Sequence, residues 1–430
     1  MNFTQTIMKN KIVSVWGIGY LGYTTISQLQ EYGFKATIFD FTPDRLDKLS
    51  KGFYPKKEQF NSWSRNGNLP LLDLDKIVIA DEYSLLFDNK VHFISFPNTE
   101  LFTYIDLANI FLKYKDKLQD SLIIFESAGI PNSIQKDFIN ILKDDDIDVV
   151  TLFRNDWIIE DFSNQNHQKI CSGNSKNAIK KIKIFLNIFN QEVVELDSLE
   201  EAELYANTKN SFDYTITAFF NQLSLAYPHI NINNIFKKLL NNMDTNKFNL
   251  GVNSVDYKSE QSIENILRGS RGDFLSILKE ANNTNISFLF YYIDLLKTKN
   301  INSVTIFGLS AYNNIKDIRF SPSVLLAEYL NKEGITVFIY DDNFTQDELR
   351  QILPFSKFLN IHTDTLQTDA IFIMNLMKEY KFFTQTKMDD IGISKIRYIF
   401  DNTGFFKYYK YSDKSIYHEL CDGNLFKVID

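Results

Sequence analysis

A set of glycines near the N-terminus has the spacing that can hold a pair of phosphate groups. The segment GIGYLG, residues 17–22, follows the apolar run KIVSVW and precedes a stretch with a helical pattern. In this arrangement Gly17 permits a tight turn, Gly19 lets the backbone approach a pyrophosphate, and Gly22 lets the helix pack closely on the strand. The helix N-terminus adds N–H groups and a positive potential. The chemistry that these residues suit is the binding of a dinucleotide.

An acidic residue completes the pattern. Asp40 ends the next apolar run, KATIFD, about 20 residues beyond the glycines, where a carboxylate accepts hydrogen bonds from both hydroxyls of a ribose. Because a carboxylate would repel a 2′-phosphate, Asp40 favours NAD over NADP. We therefore expect NAD as the cofactor, and the alternative is a turn of the same shape that binds nothing.

Alternating strands and helices must position these residues. The apolar runs KIVIA, KVHFISF, SLIIFES and DVVTLF come next and are separated by helical patterns. This alternation predicts an α/β fold with a doubly wound parallel sheet, in which ligands lie at the carboxyl ends of the strands. The turns at residues 97–99, 126–128 and 154–156 are therefore expected to line the site.

The rest of the chain predicts a helical segment and a second sheet. Residues 198–227 contain neither proline nor glycine, and their dense apolar side chains suggest burial between domains or subunits. The runs SVTIFG, ITVFIYDD, DAIFIMN and KIRYIFDN then repeat the strand-and-helix alternation. We predict a Rossmann domain that binds NAD at residues 1–197, a central helical domain at 198–300 and a Rossmann-like domain at 301–430.

The composition excludes several classes of protein. Of the 430 residues, 44% are hydrophobic and 23% are charged, which is typical of a globular chain and not of a disordered one. The net charge of −8 argues against a nucleic acid or an anionic membrane as the main partner. The 2 cysteines exclude a disulfide framework and a cysteine zinc site. We expect a cytoplasmic protein without a signal peptide or membrane span, and without a metal site, since the aspartates at 144–146 fit a solvated loop.

Along nearly its whole length the chain resembles the UDP-glucose/GDP-mannose dehydrogenase family. The resemblance is carried by VWGIGYLGYTTISQLQEYGFKATIFD, DRLDKLSKGFYPKKE, FISFPNT, FESAGIP, AELYANTKNSFDYTITAFFNQ and FGLSAYNNIKDIRFSPSVLLAEYLNKEGITVFIYDD, in this order. It implies NAD-dependent oxidation of the primary alcohol of a nucleotide sugar to a carboxylate. In that family, two hydride transfers are separated by a thioester on a cysteine. The resemblance also implies a nucleotide-sugar-binding C-terminal domain and a homodimer formed through the central helix.

The chain departs from the family at the positions that perform this chemistry. The family's cysteine loop best matches residues 268–273, which contain no cysteine, and none lies between Cys171 and Cys421. The positions of the family's Lys, Thr, Glu, Glu and second Lys hold Ala206, Ala128, Thr151, Asn155 and Asn313. We therefore predict that the chain cannot complete the four-electron oxidation. Cys171 and Cys421 are expected to be ordinary core or surface thiols.

Four residues remain as candidates for catalysis. Asn210 and Asp273 are retained from the family pattern and could polarise a sugar hydroxyl, or they could be relics of the fold. Tyr205 and Lys209 lie one turn apart on the helix that lines the family's active site, and a nearby ammonium lowers the pKa of a tyrosine. Two observations argue against a catalytic role of this pair: such spacing also arises by chance, and both residues lie about 100° from the family's catalytic face.

The binding residues are predicted as two groups. The predicted cofactor-binding residues are Gly17, Gly19, Tyr20, Leu21, Gly22, Asp40, Arg45, Pro97 and Ser127. The predicted substrate-binding residues are Arg154, Asn210 and Arg319. Arg319 lies at a helix start after a strand, where an arginine suits a diphosphate, although it could instead pair with Asp317 or Asp341.

Three functions are compatible with these observations. The first is a redirected NAD-dependent oxidoreductase that performs one hydride transfer on a nucleotide sugar, without a covalent intermediate. The second is a catalytically inactive relative that binds NAD or a nucleotide sugar and serves as a scaffold or regulator. The third is an enzyme with another reaction that ignores NAD. The glycine turn with Asp40 favours the first two, and hydride transfer to bound NAD would distinguish them.

Overall fold

The chain folds into two compact units. The computed structural model describes residues 3–55, 63–64, 68–97, 102–143, 147–154, 159, 169–239, 250–252, 257–271, 274–310, 313–318 and 321–429. The first unit comprises Met1–Thr208 and Glu264–Arg271, and the second comprises Lys209–Ile263 and Gly272–Asp430. The three-part division predicted above stays a prediction. No helix among the described residues is long and apolar enough to cross a membrane.

The first unit is built on an eight-stranded sheet. Its strands are β1 Ile12–Trp16, β2 Lys35–Phe39, β3 Ile77–Ile79, β4 Val91–Ile94, β5 Leu122–Phe125, β6 Asp148–Phe153, β7 Lys169–Gly173 and β8 Val193–Glu195. Their order is β3-β2-β1-β4-β5-β6-β7-β8, with all neighbours parallel except β6 and β7. The predicted doubly wound α/β fold is thus confirmed. A strand is also expected from the sequence around Cys171, where β7 lies, but its antiparallel direction was not predicted.

Helices cover this sheet and explain its apolar strands. In β4, β5 and β6 every residue is buried, which a parallel sheet packed on both faces requires. The helices are α1 Phe3–Asn10, α2 Tyr20–Glu31, α3 Pro43–Ser50, α4 Tyr83–Leu86, α5 Tyr104–Lys113, α6 Asn140–Leu142 and α7 Lys176–Asn187. A π-helical turn, Gln135–Ile139, leads into α6. Strand order reverses between β1 and β4, so the crevice for a ligand lies at their carboxyl ends.

The second unit contains a six-stranded parallel sheet. Its strands are β9 Ser303–Phe307, β10 Thr336–Tyr340, β11 Lys357–Phe358, β12 Ala370–Ile373, β13 Tyr398–Asp401 and β14 Ile416–Glu419, in the order β11-β10-β9-β12-β13-β14. The chain order reverses between β9 and β12, as it does between β1 and β4. The second Rossmann-like sheet predicted from the sequence is therefore present.

Four long or medium helices occupy the middle of the chain. They are α8 Leu199–Ala226, α9 Ile232–Leu239, α10 Tyr257–Gly269 and α11 Ser276–Thr298. The boundary between the two units falls within α8, after Thr208. The remaining helices are α12 Pro322–Lys332, α13 Gln346–Ile352, α14 Gln385–Asp390 and α15 Phe426–Ile429.

Candidate functional site

The glycine turn of the first unit has the shape needed to receive phosphates. Gly17 has a φ of 90°, and its N–H donates to Phe39 O at 2.7 Å. A Cβ on Gly22 would lie 1.8 Å from Gly17 O, so α2 packs directly on the turn. A Cβ on Gly19 would meet nothing within 4 Å, which leaves the mouth of the turn open.

The N-terminus of α2 is available to a ligand. Its N-cap residue is Gly19, and no side chain caps it. Helix termini leave their first N–H groups unsatisfied unless a side chain, water or ligand accepts from them. The predicted cofactor residues Tyr20 and Leu21 begin this helix, so their N–H groups face the position where a pyrophosphate fits. These residues therefore fit the phosphates of a dinucleotide.

Asp40 both shapes the turn and carries the charge for a ribose. Its carboxylate is 4% exposed and accepts from Ile18 N and Thr42 N, each at 2.8 Å. Arg45 donates to both carboxylate oxygens, at 3.1 and 3.3 Å. A carboxylate offers about four acceptor positions, and these contacts use all of them. Since the side chain of Arg45 is 37% exposed, it can yield its two positions to the ribose hydroxyls.

A buried carboxylate in the predicted turn 126–128, whose role we did not predict, links the strand ends to α2. Glu126 directly follows β5 and accepts from Thr25 Oγ1 at 2.7 Å and from the hydroxyl of Ser95. Burial raises the pKa of Glu126, and the charge of Arg154 opposes that shift. An acidic residue immediately after an apolar strand was the signal for it in the sequence.

Arg154, a predicted substrate-binding residue, lies at the end of β6 and contacts α2. It donates to Leu21 O at 3.0 Å and to Thr25 Oγ1 at 2.9 Å. Its guanidinium also lies 5.7 Å from the ring centroid of Tyr20. In the described chain Arg154 therefore supports the first turn of α2. Its predicted role toward a substrate stays a prediction.

The other predicted cofactor residues lie at neighbouring strand ends. Pro97 is exposed after β4, and Ser127 is half-buried after β5. The hydroxyl of Tyr104 donates to Ser127 O at 3.1 Å, which fixes the backbone of that turn. Both residues thus lie at the edge of the sheet where the parallel strands place a ligand.

The predicted catalytic residues on helix α8 differ in how deeply they are buried. Tyr205 is 40% exposed, and Lys209 and Asn210 are half-buried. Asn210 Nδ2 donates to Ser262 Oγ at 3.0 Å. Ala206, at the position of the family's lysine, is 6% exposed. Asp273 and Arg319, like Asn155 and the aspartates at 144–146, lie outside the described residues.

The inward face of α8 carries a second carboxylate that sequence reasoning missed. Glu203 is fully buried, and burial raises its pKa to about 7. Its Oε1 accepts from Ser133 Oγ at 2.7 Å and from Ile134 N at 3.3 Å. The sequence pattern of α8 places Glu203 on the buried face of the helix. It does not show that Glu203 contacts the segment after β5.

The second unit repeats the same turn and acid. Gly308 has a φ of 91°, and its N–H donates to Tyr340 O at 2.9 Å. Leu309 N donates to Asp341 Oδ2 at 2.7 Å, as Ile18 N does to Asp40. Two buried acceptors near this turn, Ser310 Oγ and Asn314 Oδ1, have no hydrogen-bond partner among the described residues. Polar atoms buried in this way are satisfied by a ligand or water.

Neither cysteine has the exposure or the low pKa that is typical of a nucleophilic thiol. Both are buried, and burial raises the pKa of Cys171 to about 11 and that of Cys421 to about 12. Since the thiolate is the reactive form, these thiols are inert at neutral pH. The part of the chain that the structure describes also contains no group of His, Cys, Asp and Glu that could hold a metal ion.

Comparisons with known proteins agree with this architecture. Residues 305–408 match the UDP binding domain of the UDP-glucose/GDP-mannose dehydrogenase family. A UDP-N-acetyl-D-mannosamine dehydrogenase of Methanococcus vannielii is 21% identical over 419 residues, which cover 89% of this chain and 90% of that protein.

Two solved structures show the same fold. The UDP-N-acetyl-mannosamine dehydrogenase of Staphylococcus aureus has a TM-score of 0.72 and 22% identity, covering 97% of this chain and 100% of that one. A UDP-D-ManNAc dehydrogenase from Pyrococcus horikoshii has a TM-score of 0.72 and 17% identity, covering 96% of this chain and 100% of that one.

Proposed function

We propose that this chain is a member of the UDP-glucose/GDP-mannose dehydrogenase family and an NAD-dependent oxidoreductase that acts on a nucleotide sugar. It transfers one hydride between the sugar and the cofactor and forms no covalent intermediate. The proposal of a single hydride transfer rests on the burial and the raised pKa values of the two cysteine thiols. Both cysteines are buried with raised pKa values, and residues 268–273 contain none.

The first unit supplies the cofactor part of the proposal. The open turn at Gly19, the uncapped N-terminus of α2 and the carboxylate of Asp40 suit the pyrophosphate and ribose of NAD. Bound NAD accepts a hydride at its nicotinamide ring. The negative charge of Asp40 is the feature that would select NAD over NADP.

The second unit supplies the substrate part. Its glycine turn, with unsatisfied acceptors at Ser310 and Asn314, offers hydrogen-bond partners to a nucleotide sugar. Arg319 would hold the diphosphate through its charge. The names of the relatives suggest a UDP-linked N-acetylated sugar, which becomes the first substrate to test.

The proposed reaction removes a hydride from a sugar carbon and a proton from the hydroxyl group on the same carbon. NAD held by the first unit would supply the acceptor for the sugar's C–H hydride. A protein base would take the hydroxyl proton, so that the product would be an aldehyde or a ketone. Tyr205 with Lys209 is our candidate for handling the proton, and Asn210 and Asp273 would polarise the hydroxyl. A carboxylate product would need a second oxidation, for which the family uses the cysteine that this chain lacks.

A binding protein without catalysis is the second candidate. The buried Ala206 at the family's lysine position removes a cation from the helix, which favours this alternative. A homodimer belongs to both proposals because α8 carries exposed apolar side chains, among them Phe212 at 49% and Phe219 at 56% exposure.

Formation of NADH separates the two candidates. Purified protein would be mixed with NAD and each of a set of UDP-, GDP- and dTDP-sugars, beginning with UDP-N-acetylmannosamine, while absorbance in the near ultraviolet is followed. We expect NADH with at least one sugar. If no sugar yields NADH but NAD or a sugar nucleotide raises the melting temperature, the binding protein is the correct function.

A further inference from the structure

The turn at residues 127–131 lies on the half of the crevice that the adenosine of a dinucleotide does not use. Asp40 at the end of β2 marks the adenosine ribose, and the pyrophosphate crosses the reversal point between β1 and β4. The other nucleotide half therefore extends over the ends of β4 and β5. Residues 127–131 directly follow β5 and so border the nicotinamide half.

This turn is held in place from several directions. Tyr104 donates to Ser127 O at 3.1 Å, and Asn207 Nδ2 donates to Gly129 O at 2.9 Å. A Cβ on Gly269 of α10 would lie 3.0 Å from Pro131 Cδ, so that helix packs tightly against the turn. The conformation of residues 127–131 is therefore set by α5, α8 and α10.

Glu203 contacts the point where the turn becomes a helix. Its Oε1 accepts from Ser133 Oγ at 2.7 Å and from Ile134 N at 3.3 Å. A Cβ on Gly129 would lie 2.6 Å from Ser133 Oγ, so the hydroxyl that Glu203 holds also packs against the turn. Glu203 Oε2 has no hydrogen-bond partner among the described residues.

A charged carboxylate in this environment lowers the stability of the folded protein. Glu203 is 0% exposed, and a charge buried with half its acceptors unused destabilises the native state. An apolar side chain on this face of α8 would cost less. The hydrogen bonds from Ser133 and Ile134 offset part of this cost, and the N–H groups at the start of the helical segment attract the negative charge.

We propose that Glu203 is a positioning residue that fixes the turn at residues 127–131 in the conformation that receives the nicotinamide half of NAD. It acts through Ser133 and the backbone of Ile134 and does not touch the cofactor. This inference rests on the proposed function only for the identity of the ligand. The positioning of the turn itself is a property of the first unit.

The experiment compares Glu203→Ala and Glu203→Gln with Glu200→Ala, an exposed glutamate one turn earlier on α8. Dissociation constants are measured for NAD and for ADP-ribose, which lacks only the nicotinamide. Loss of the Glu203 hydrogen bonds to Ser133 and Ile134 should weaken NAD binding by about tenfold in Glu203→Ala and leave ADP-ribose binding unchanged. Glu203→Gln keeps an acceptor oxygen for Ser133 and should restore most of the NAD affinity. Glu200→Ala should bind both ligands like the wild type.

Hydrogen exchange of residues 127–134 tests the mechanism without any ligand. Exchange there should accelerate in Glu203→Ala and stay at the wild-type rate in Glu200→Ala. Unchanged exchange, unchanged NAD affinity, or equal weakening of NAD and ADP-ribose would overturn the inference. Wild-type protein that binds neither ligand would overturn the proposed cofactor, while the exchange data would still decide whether Glu203 positions the turn.

Discussion

At the scale of single residues, Asp40 has a structural role in the glycine turn, and we propose that it also recognises the cofactor. Its carboxylate accepts from Ile18 N within the glycine turn and is held by Arg45. The same oxygens are the acceptors that ribose hydroxyls require. We therefore propose that bound NAD would replace the contacts of Arg45 while the hydrogen bond from Ile18 N is kept.

Asp40→Asn tests the contribution of this charge. The amide keeps one acceptor oxygen and the side-chain shape, but it loses the second acceptor and the repulsion of a 2′-phosphate. We expect the dissociation constant for NAD to rise about tenfold and the preference for NAD over NADP to shrink, measured by titration calorimetry. Asp44→Asn, an exposed aspartate on α3, serves as the control. Equal NAD affinities in the wild type and Asp40→Asn would contradict this role.

Glu203 also makes the stability of the protein depend on pH. Burial raises its pKa from an ordinary 4.5 to about 7, with nearby Glu200 raising it further and Ser133 and Ile134 opposing the shift. The buried hydroxyl of Tyr104 faces the same carboxylate. The folded state thus holds this proton more tightly than the unfolded state. The corresponding stability is present below pH 4.5 and is lost as the pH rises to about 7.

Unfolding by urea at about pH 5 and pH 7.5 measures this effect. Between these values the wild type should lose up to about 3 kcal/mol through Glu203. Glu203→Gln does not titrate, so its free energy of unfolding should fall less over the same interval. An identical fall in both proteins would show that the pKa of Glu203 is close to its ordinary value.

At the scale of elements, the glycines of the first turn have separable roles. A Cβ on Gly22 would lie 1.8 Å from Gly17 O, whereas a Cβ on Gly19 would meet nothing within 4 Å. Gly22→Ala should therefore lower the melting temperature by several degrees, because α2 must move away from β1. Gly19→Ala, with a φ of −63°, should melt like the wild type but bind NAD more weakly. A stable Gly22→Ala protein would contradict the packing described here.

The exposed apolar face of α8 predicts an association of two copies. Replacing Phe212 and Phe219 together by serine should convert a dimer to a monomer in light scattering, because that face would lose its apolar contact area. Phe382→Ser, at a position that is 68% exposed elsewhere in the chain, is the matched control and should remain dimeric. A monomeric wild type would refute the dimer.

The regular elements were predictable from the sequence, and the short strands and buried contacts were not. Fully apolar runs such as 122–125 identify central strands, because both faces of a parallel sheet are buried. β11 has 2 residues, and β14 contains two apolar residues followed by a histidine and a glutamate, so neither strand gives a clear apolar pattern. The glycine turn with Asp40 was visible in the spacing. The position of Glu126 after an apolar strand was also visible, but the hydrogen-bond partners of Glu126 and Glu203 were not, since they lie far away along the chain.

At the scale of the whole molecule, the two units contain the same glycine turn and aspartate, and we propose a different ligand for each. Each has a glycine with positive φ after its first strand and an aspartate after its second strand. The match of residues 305–408 to a UDP binding domain assigns the nucleotide sugar to the second unit in our proposal. In our proposal the first unit binds the cofactor and the second unit binds the nucleotide sugar, while residues 268–273 contain no cysteine that could link two oxidations.

The number of NADH molecules formed for each sugar consumed tests the central claim most directly. A limiting amount of the active nucleotide sugar would be incubated with excess NAD and a carbonyl-trapping reagent, and NADH and the sugar product would be quantified together. The single-transfer proposal predicts one NADH for each sugar and a trapped aldehyde or ketone. Two NADH for each sugar, with a uronate as the product, would contradict it.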